Sequence, residues 1–198
     1  EVLRRLAKDR ELFDLGWALA RVQYIKRPAN DVQAARTTAP IVLDGRLDEP
    51  DWKALDPISG FTRPDSRPAG AQTSVRVLYD DAYLYLGLEM EEPDPAGPSA
   101  RKLARDAAIW GDDTIEVFID PQAEGRRYVH LAANAAGSLR DSECRTGAPT
   151  PGDASYNTDA QLAAWVTNGR WTVEMRVSAA SLGGAIRETV PFSAYLFY

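Results

Sequence analysis

The chain has 198 residues, of which 44% are hydrophobic and 26% are charged, and its formal net charge is −6. This composition is typical of a globular protein that can bury a core. The acidic balance, without any basic stripe, argues against nucleic acid or an anionic membrane surface as a partner, and no apolar run approaches the ~20 residues of a membrane-spanning helix.

The N-terminal segment has the pattern of a helix. Apolar residues recur at helical spacing over residues 2–26 and form a broad apolar face, and Pro28 ends the pattern. We expect this face to dock on its own domain or on a preceding one. Residues 29–40 have the composition of a linker. The predicted division is therefore a helical segment with its linker over 1–38 and a second domain over 39–198.

The second domain has the pattern of β-structure. Alternating segments predict strands at "TSVRVLY", "DDAYLYLGLEM", "DTIEVFID", "RYVHLAAN" and "VPFSAYLFY", and Asn168-Gly169 in "DAQLAAWVTNGRWTVEMRVS" is a strong hairpin signal. Short strands separated by turns predict a sandwich or barrel. We expect a mainly β fold, an antiparallel β-sandwich preceded by the helical segment. Its last strand, ending at Tyr198, should be central or covered.

The only cysteine, Cys144, lies in the polar, turn-rich stretch "RDSECRTGAPTPGD". This stretch is predicted to be a loop, with Cys144 as an incidental loop residue. A single cysteine forms neither an internal disulfide nor a multi-cysteine metal site.

The tryptophans of the second domain fall in different environments. Trp171 shares its face of the strand "WTVEMRV" with apolar neighbours, so we expect it in the core, together with Trp52. The Asn-Gly turn pairs Trp165 with Thr172 and places it on the opposite face. We expect Trp165 to be covered there rather than exposed.

Trp110 stands just ahead of a strand whose two faces differ. In "DTIEVFID", Ile115, Val117 and Ile119 share one face, and three β-branched residues mark that face as buried. Glu116 therefore points away from the core, toward the side that a ligand can approach. Trp110 is either a lid on the core or a platform for a flat ligand.

Five segments of the second domain, taken in order, resemble one family. They are "IVLDGRLDEPDW", "TSVRVLYDDAYLYLGLEMEEPDP", "IWGDDTIEVFIDP", "NAAGSLRD" and "WTVEMRVSAASL". The set resembles the family 9 carbohydrate-binding modules and their wider relatives among the DOMON-like β-sandwiches. The resemblance implies a secreted, periplasmic or cell-envelope module that binds a mono- or oligosaccharide and works with the neighbouring domains of a larger protein. In the family, two tryptophans sandwich a terminal sugar, polar side chains bind its hydroxyls, and calcium ions brace loops.

The resemblance also implies site residues. Trp110 matches the first clamp tryptophan, Glu116 a carboxylate that accepts hydroxyl hydrogen bonds, and Asn134 a polar ligand-binding residue. A sugar offers an apolar C–H face for stacking and hydroxyls for polar groups. The sequence departs from the pattern at Ala132, where the family can carry an arginine, and the second clamp tryptophan belongs beyond the strand that ends at Tyr198. A structural or docking sandwich that has lost sugar binding is therefore the alternative function.

Acidic residues in the predicted turns are candidate calcium ligands. Asp112 and Asp113 are the first candidates, because calcium takes carboxylate and carbonyl oxygens from loops. The other candidates are Asp80, Asp81, Asp120 and Asp141. None of them shows the alternating aspartate spacing of a dedicated calcium loop. We favour the interpretation that they are ordinary turn and strand-end aspartates.

Signals for catalysis are absent from the sequence. It has one histidine, His130, and neither a nucleophile elbow nor a phosphate-binding loop. No spacing pairs two carboxylates as a glycosidase would, although the number of acids leaves this possibility open. We therefore predict a domain that is not an enzyme and expect no organic cofactor. A less favoured alternative is a haem-binding DOMON-like domain that uses Met90 or Met175 with His130.

Overall fold

Strands dominate the part of the chain that the structure describes. The computed structural model describes residues 34–62, 67–122, 124–146, 152–153 and 155–184, and the backbone of 192–197. The predicted helix over 2–26 lies outside these residues. Within them, no helix is both long enough and apolar enough to cross a membrane.

The strands form two sheets that pack into a sandwich. The first sheet has the order β1-β2-β3-β8-β7 and the second has the order β6-β5-β4-β9. Neighbouring strands pair antiparallel, except for the parallel pair β1 and β2. The predicted fold class is confirmed. The elements are β1 (Ala35–Arg36), α1 (Pro50–Lys53), β2 (Thr73–Tyr79), β3 (Tyr83–Glu91), β4 (Thr114–Ile119), β5 (Arg127–Asn134), β6 (Leu139–Arg145), β7 (Gln161–Thr167), β8 (Arg170–Ser178) and β9 (Phe192–Phe197).

The core lies between the two sheets and follows the alternation of the strands. On β4, Ile115, Val117 and Ile119 are each at most 1% exposed, and on β8 Trp171 and Val173 are fully buried. All five belong to one apolar cluster that draws residues from both sheets. Burying an apolar side chain of this size contributes about 1.5–3 kcal/mol. The predicted inward faces of β4 and β8 are confirmed.

The β7–β8 hairpin has the predicted register. Trp165 is paired with Thr172, and Gly169 at the tip has a φ of 79°, which glycine adopts without strain. Trp165 is 40% exposed, so the expectation that it is covered is wrong. The guanidinium carbon of Arg46 lies 4.9 Å from the centroid of its ring.

The outer face of the first sheet is also buried, which strand alternation did not predict. Glu174 points outward on β8 but is 0% exposed, because the segment 41–55 packs over that face. Its carboxylate accepts hydrogen bonds from Trp52 Nε1 (2.9 Å) and from the backbone N–H groups of Asp44 (2.9 Å) and Gly45 (2.7 Å). Burial raises the pKa of Glu174 in spite of these donors. Trp52 is buried as predicted, outside the first sheet rather than between the sheets.

Three local predictions need correction. The predicted linker contains β1, which pairs with the end of β2. Cys144 is not in a loop, since it lies in β6 and is 2% exposed. β6 was not predicted because Asp141 and Glu143, which form ion pairs with arginines, interrupt its apolar alternation. β9 pairs with β4 and stands at the edge of the second sheet among the described residues, so it is not central there, and the alternative that it is covered stays a prediction.

Candidate functional site

The outer face of the second sheet carries a cluster of polar and aromatic side chains. Glu116 and Phe118 lie there on β4, on the side opposite the core. Register places Ala132 beside Glu116 and His130 beside Phe118 on β5. Arg140 on β6 is paired with Ala132 and shares the same face. The sheet therefore presents an acid, an imidazole and a guanidinium on one surface.

Trp110 lies next to this cluster and is not part of the core. It is 51% exposed, and its ring lies within 11° of parallel to the ring of His130, with 6.0 Å between the centroids. His130 in turn stacks on Phe118, with the centroids 4.3 Å apart. The guanidinium carbon of Arg140 is 5.5 Å from the centroid of Trp110. The two sequence-predicted residues Trp110 and Glu116 thus face the same surface, and about half of the tryptophan is open.

Glu116 and His130 form a largely desolvated ion pair. Their Oε2 and Nε2 atoms are 2.6 Å apart, and the side chains are 12% and 13% exposed. The contact is an ion pair when His130 is protonated. Burial lowers the pKa of His130, but hydrogen bonding from Cys144 and Glu116, together with the charge of Glu116, outweighs it and raises the pKa above its usual value. Among the described residues nothing donates to Glu116 Oε1, which leaves it as an acceptor.

A buried network holds the loop 99–113, which carries Trp110. The Asp112 carboxylate accepts hydrogen bonds from Arg101 Nε and from Asn134 Nδ2, both at 2.8 Å. Burial raises the pKa of Asp112, but these donors outweigh it and lower the pKa below its usual value. Asn134 Nδ2 also donates to the Arg101 carbonyl at 2.8 Å. The network ties the loop to the end of β5.

Arg105 anchors the same loop to the edge of β6. Its Nη2 donates to Asp141 Oδ2 at 2.7 Å, and the same oxygen accepts the Thr158 N–H at 2.5 Å and its hydroxyl at 2.6 Å. Asp141 is 0% exposed. The next residue, Asp106, has a φ of 64°, and its N–H donates to the Leu139 carbonyl. These hydrogen bonds hold the loop that carries Trp110.

The structure does not bring the third predicted ligand-binding residue to the surface. Asn134 is 0% exposed. Its Nδ2 donates to Arg101 and Asp112, and its Oδ1 accepts the Ser138 N–H at 2.8 Å. Direct ligand binding by Asn134 stays a prediction, while the visible contacts show that it positions the loop.

The first two predicted calcium ligands, Asp112 and Asp113, accept hydrogen bonds from the protein. Both oxygens of Asp112 already accept hydrogen bonds, from Arg101 and Asn134, and Asp113 Oδ2 accepts the Ser99 N–H at 2.6 Å. Calcium takes six to eight oxygen ligands, whereas the described residues contain no group of three or more metal-binding side chains. Calcium binding stays a prediction.

The residues of the haem alternative lie on opposite sides of the second sheet. Met90 and Met175 are fully buried between the sheets. His130 lies on the outer face against Trp110 and Phe118. The structure therefore does not bring the histidine together with either methionine.

Sequence reasoning placed Trp110 and Glu116 in the site but missed two of their neighbours. It assigns His130 only as a polar strand residue or a haem ligand, and it assigns no role to Arg140. The alternation of "RYVHLAAN" is the signal that was available for His130, because it sets His130 and Ala132 on one face. Arg140 offered no such signal, since β6 was not predicted.

Comparisons with known proteins identify the family and the fold. A family model described as "Carbohydrate family 9 binding domain-like" matches residues 43–193. No curated protein matches the chain.

Three solved structures share the fold. A "putative carbohydrate-binding protein" from Bacteroides uniformis is 15% identical, with a TM-score of 0.64 over 83% of this chain and 82% of that one. A family 9 carbohydrate-binding module from Caldicellulosiruptor kristjanssonii in complex with glucose is 16% identical, with a TM-score of 0.55 over 82% of this chain and 76% of that one. The same module in complex with cellotriose is 16% identical, with a TM-score of 0.55 over 82% of this chain and 75% of that one.

Proposed function

The chain belongs to the carbohydrate family 9 binding domain-like family, and we propose that it is a non-catalytic module that binds a terminal sugar of a glycan. The proposed site is the outer face of the second sheet, with Trp110 as the stacking platform and Glu116 as the acceptor for hydroxyls. One observation carries the proposal. Trp110 is 51% exposed and lies outside the core, beside the Glu116–His130 pair.

The chemistry of the site suits a sugar ring. The C–H face of a pyranose stacks on an indole, and its hydroxyls donate to a carboxylate. Glu116 keeps one oxygen for such a hydroxyl while the other contacts His130. One aromatic wall among the described residues, with a few hydroxyl hydrogen bonds, predicts weak binding, with a Kd on the order of 0.1–1 mM.

Titration of the full chain with glucose and cellotriose tests the proposal. These are the sugars bound by the structurally similar module. Trp110→Ala should abolish detectable binding and leave the melting temperature nearly unchanged. Trp165→Ala is the matched control, because Trp165 is also an exposed tryptophan beside an arginine but belongs to the first sheet. It should bind as the wild type does.

Two results would count against the proposal. Equal binding by wild type and Trp110→Ala would remove Trp110 from the site. A melting temperature several degrees lower in Trp110→Ala would mean that this side chain packs on the fold. The docking role for the sandwich would then be favoured.

We also propose that the module works in a secreted or cell-envelope protein, beside other domains. Family membership supports this setting, because the resemblance to family 9 modules implies a secreted, periplasmic or cell-envelope location. Fractionation of cells that make the native protein is the measurement. Recovery from the cytoplasm alone would contradict this setting and leave sugar binding intact.

A further inference from the structure

We propose that Arg140 supplies the hydrogen-bond donors of the ligand site, across from the Glu116 acceptor. This inference depends on the proposed sugar-binding function and assigns a residue to it. A sugar hydroxyl both donates and accepts. A site that contained only a carboxylate would leave the hydroxyl oxygens without donors, so a donor is needed on the same face as Trp110.

The register of the second sheet sets Arg140 opposite Glu116. Glu116 is paired with Ala132, and Ala132 with Arg140, so the three lie in one row across β4, β5 and β6. Neighbouring strands are about 4.8 Å apart, which puts the backbones of the outer two about 10 Å apart. Ala132 contributes only a methyl group between them. The row therefore carries an acceptor on β4 and a donor on β6, with the small, fully buried Ala132 between them.

Contacts on either side hold the Arg140 guanidinium beside the platform. Its Nη1 donates to the Asp106 carbonyl at 2.6 Å, and its central carbon lies 5.5 Å from the centroid of Trp110. Asp106 belongs to the anchored loop 99–113, so the guanidinium and the indole are positioned by the same segment.

The remaining donors of Arg140 are unused within the described residues. Arg101, Arg105 and Arg127 each form an ion pair with a carboxylate, whereas Arg140 has no such pair and makes only the hydrogen bond to Asp106 there. A guanidinium carries five N–H donors in a rigid fork. Arg140 can therefore donate to a ligand without breaking an existing ion pair.

Arg140→Met tests the proposal on the full chain. Methionine keeps an apolar stem against Trp110 and removes every donor. Calorimetric titration with cellotriose should show binding weakened about tenfold or more, because hydrogen bonds to a charged donor are among the stronger ones. Arg140→Lys should bind with intermediate affinity, since it keeps the charge but loses the fork. Arg176→Met is the matched control, because Arg176 lies 4.8 Å from the ring of Tyr83 on the first sheet. Its affinity should not change.

Ligand variants separate a direct contact from a structural effect. A double-mutant cycle combines Arg140→Lys with deoxy forms of glucose, each of which lacks one hydroxyl. At one hydroxyl position, the loss of binding free energy from the two changes together should differ from the sum of the separate losses. Additive losses at every position, or wild-type affinity in both Arg140 variants, would overturn the proposal while sugar binding by Trp110 stands. Absence of cellotriose and glucose binding in the wild type would overturn both proposals together.

Discussion

Arg105→Met is expected to destabilise the protein and to loosen the loop that presents Trp110. In the native fold Arg105 Nη2 lies 2.7 Å from Asp141 Oδ2, and the Asp141 side chain is 0% exposed. The variant leaves a buried carboxylate with hydrogen bonds from Thr158 but without a cation. The loop 99–113 loses one of its anchors at the same time.

The size of the effect follows from the burial of the two partners. Removing one member of a fully buried ion pair costs about 3–5 kcal/mol. The Arg105 side chain is 35% exposed, and the Thr158 donors remain, so we expect a loss of about 2 kcal/mol in the free energy of unfolding. For a chain of this size the melting temperature should then fall by about 4–8 °C.

Arg127→Met is the matched control for this measurement. The Arg127 side chain is 36% exposed, close to the value for Arg105, and its Nε lies 2.6 Å from Glu143 Oε1. Glu143 is 13% exposed and is also bonded by Arg145, so the control should lose about 1 kcal/mol or less.

The assays are urea unfolding, thermal unfolding and titration with cellotriose. Arg105→Met should be the less stable of the two variants and the weaker binder, whereas Arg127→Met should bind as the wild type does. Equal stability of Arg105→Met and Arg127→Met would refute the argument that the buried Asp141 needs its cation. Unchanged binding would refute the argument that Arg105 positions Trp110.

Two further predictions concern other buried charges. Trp52→Phe removes the N–H that donates to the buried Glu174 and should lower the free energy of unfolding in urea by about 2 kcal/mol; an unchanged value would contradict the role of this bond. The folded pKa of His130 is raised above its unfolded value of about 6.5 by Cys144 and Glu116, against burial. Its stabilising contribution is therefore fully present below about pH 6.5 and is lost as the pH rises through the folded pKa. The difference in melting temperature between wild type and His130→Gln should shrink as the pH rises through the folded pKa of His130. A difference that stays constant with pH would contradict the ion pair.

Part of the candidate site could be predicted because it depends on one strand alone. The period-2 pattern of "DTIEVFID" is a local property, and by itself it places Ile115 and Val117 inward and Glu116 outward. Trp110 could be singled out for the same reason, since it stands outside the alternation. His130 and Arg140 could not be assigned to the site, because their closeness to Glu116 depends on which strands are neighbours.

Local sequence by itself determined the strands with clear alternation and the register of the β7–β8 hairpin, because a two-residue Asn-Gly turn leaves one pairing for Trp165 and Thr172. Only the tertiary structure decided where the polar residues are buried. Glu174 and Asp141 look like solvent-facing residues in the sequence, yet both are 0% exposed. Their burial is favourable only because distant segments bring Trp52, Arg105 and backbone N–H groups to their carboxylates. Such donors come from residues far apart along the chain, so no local pattern reveals them.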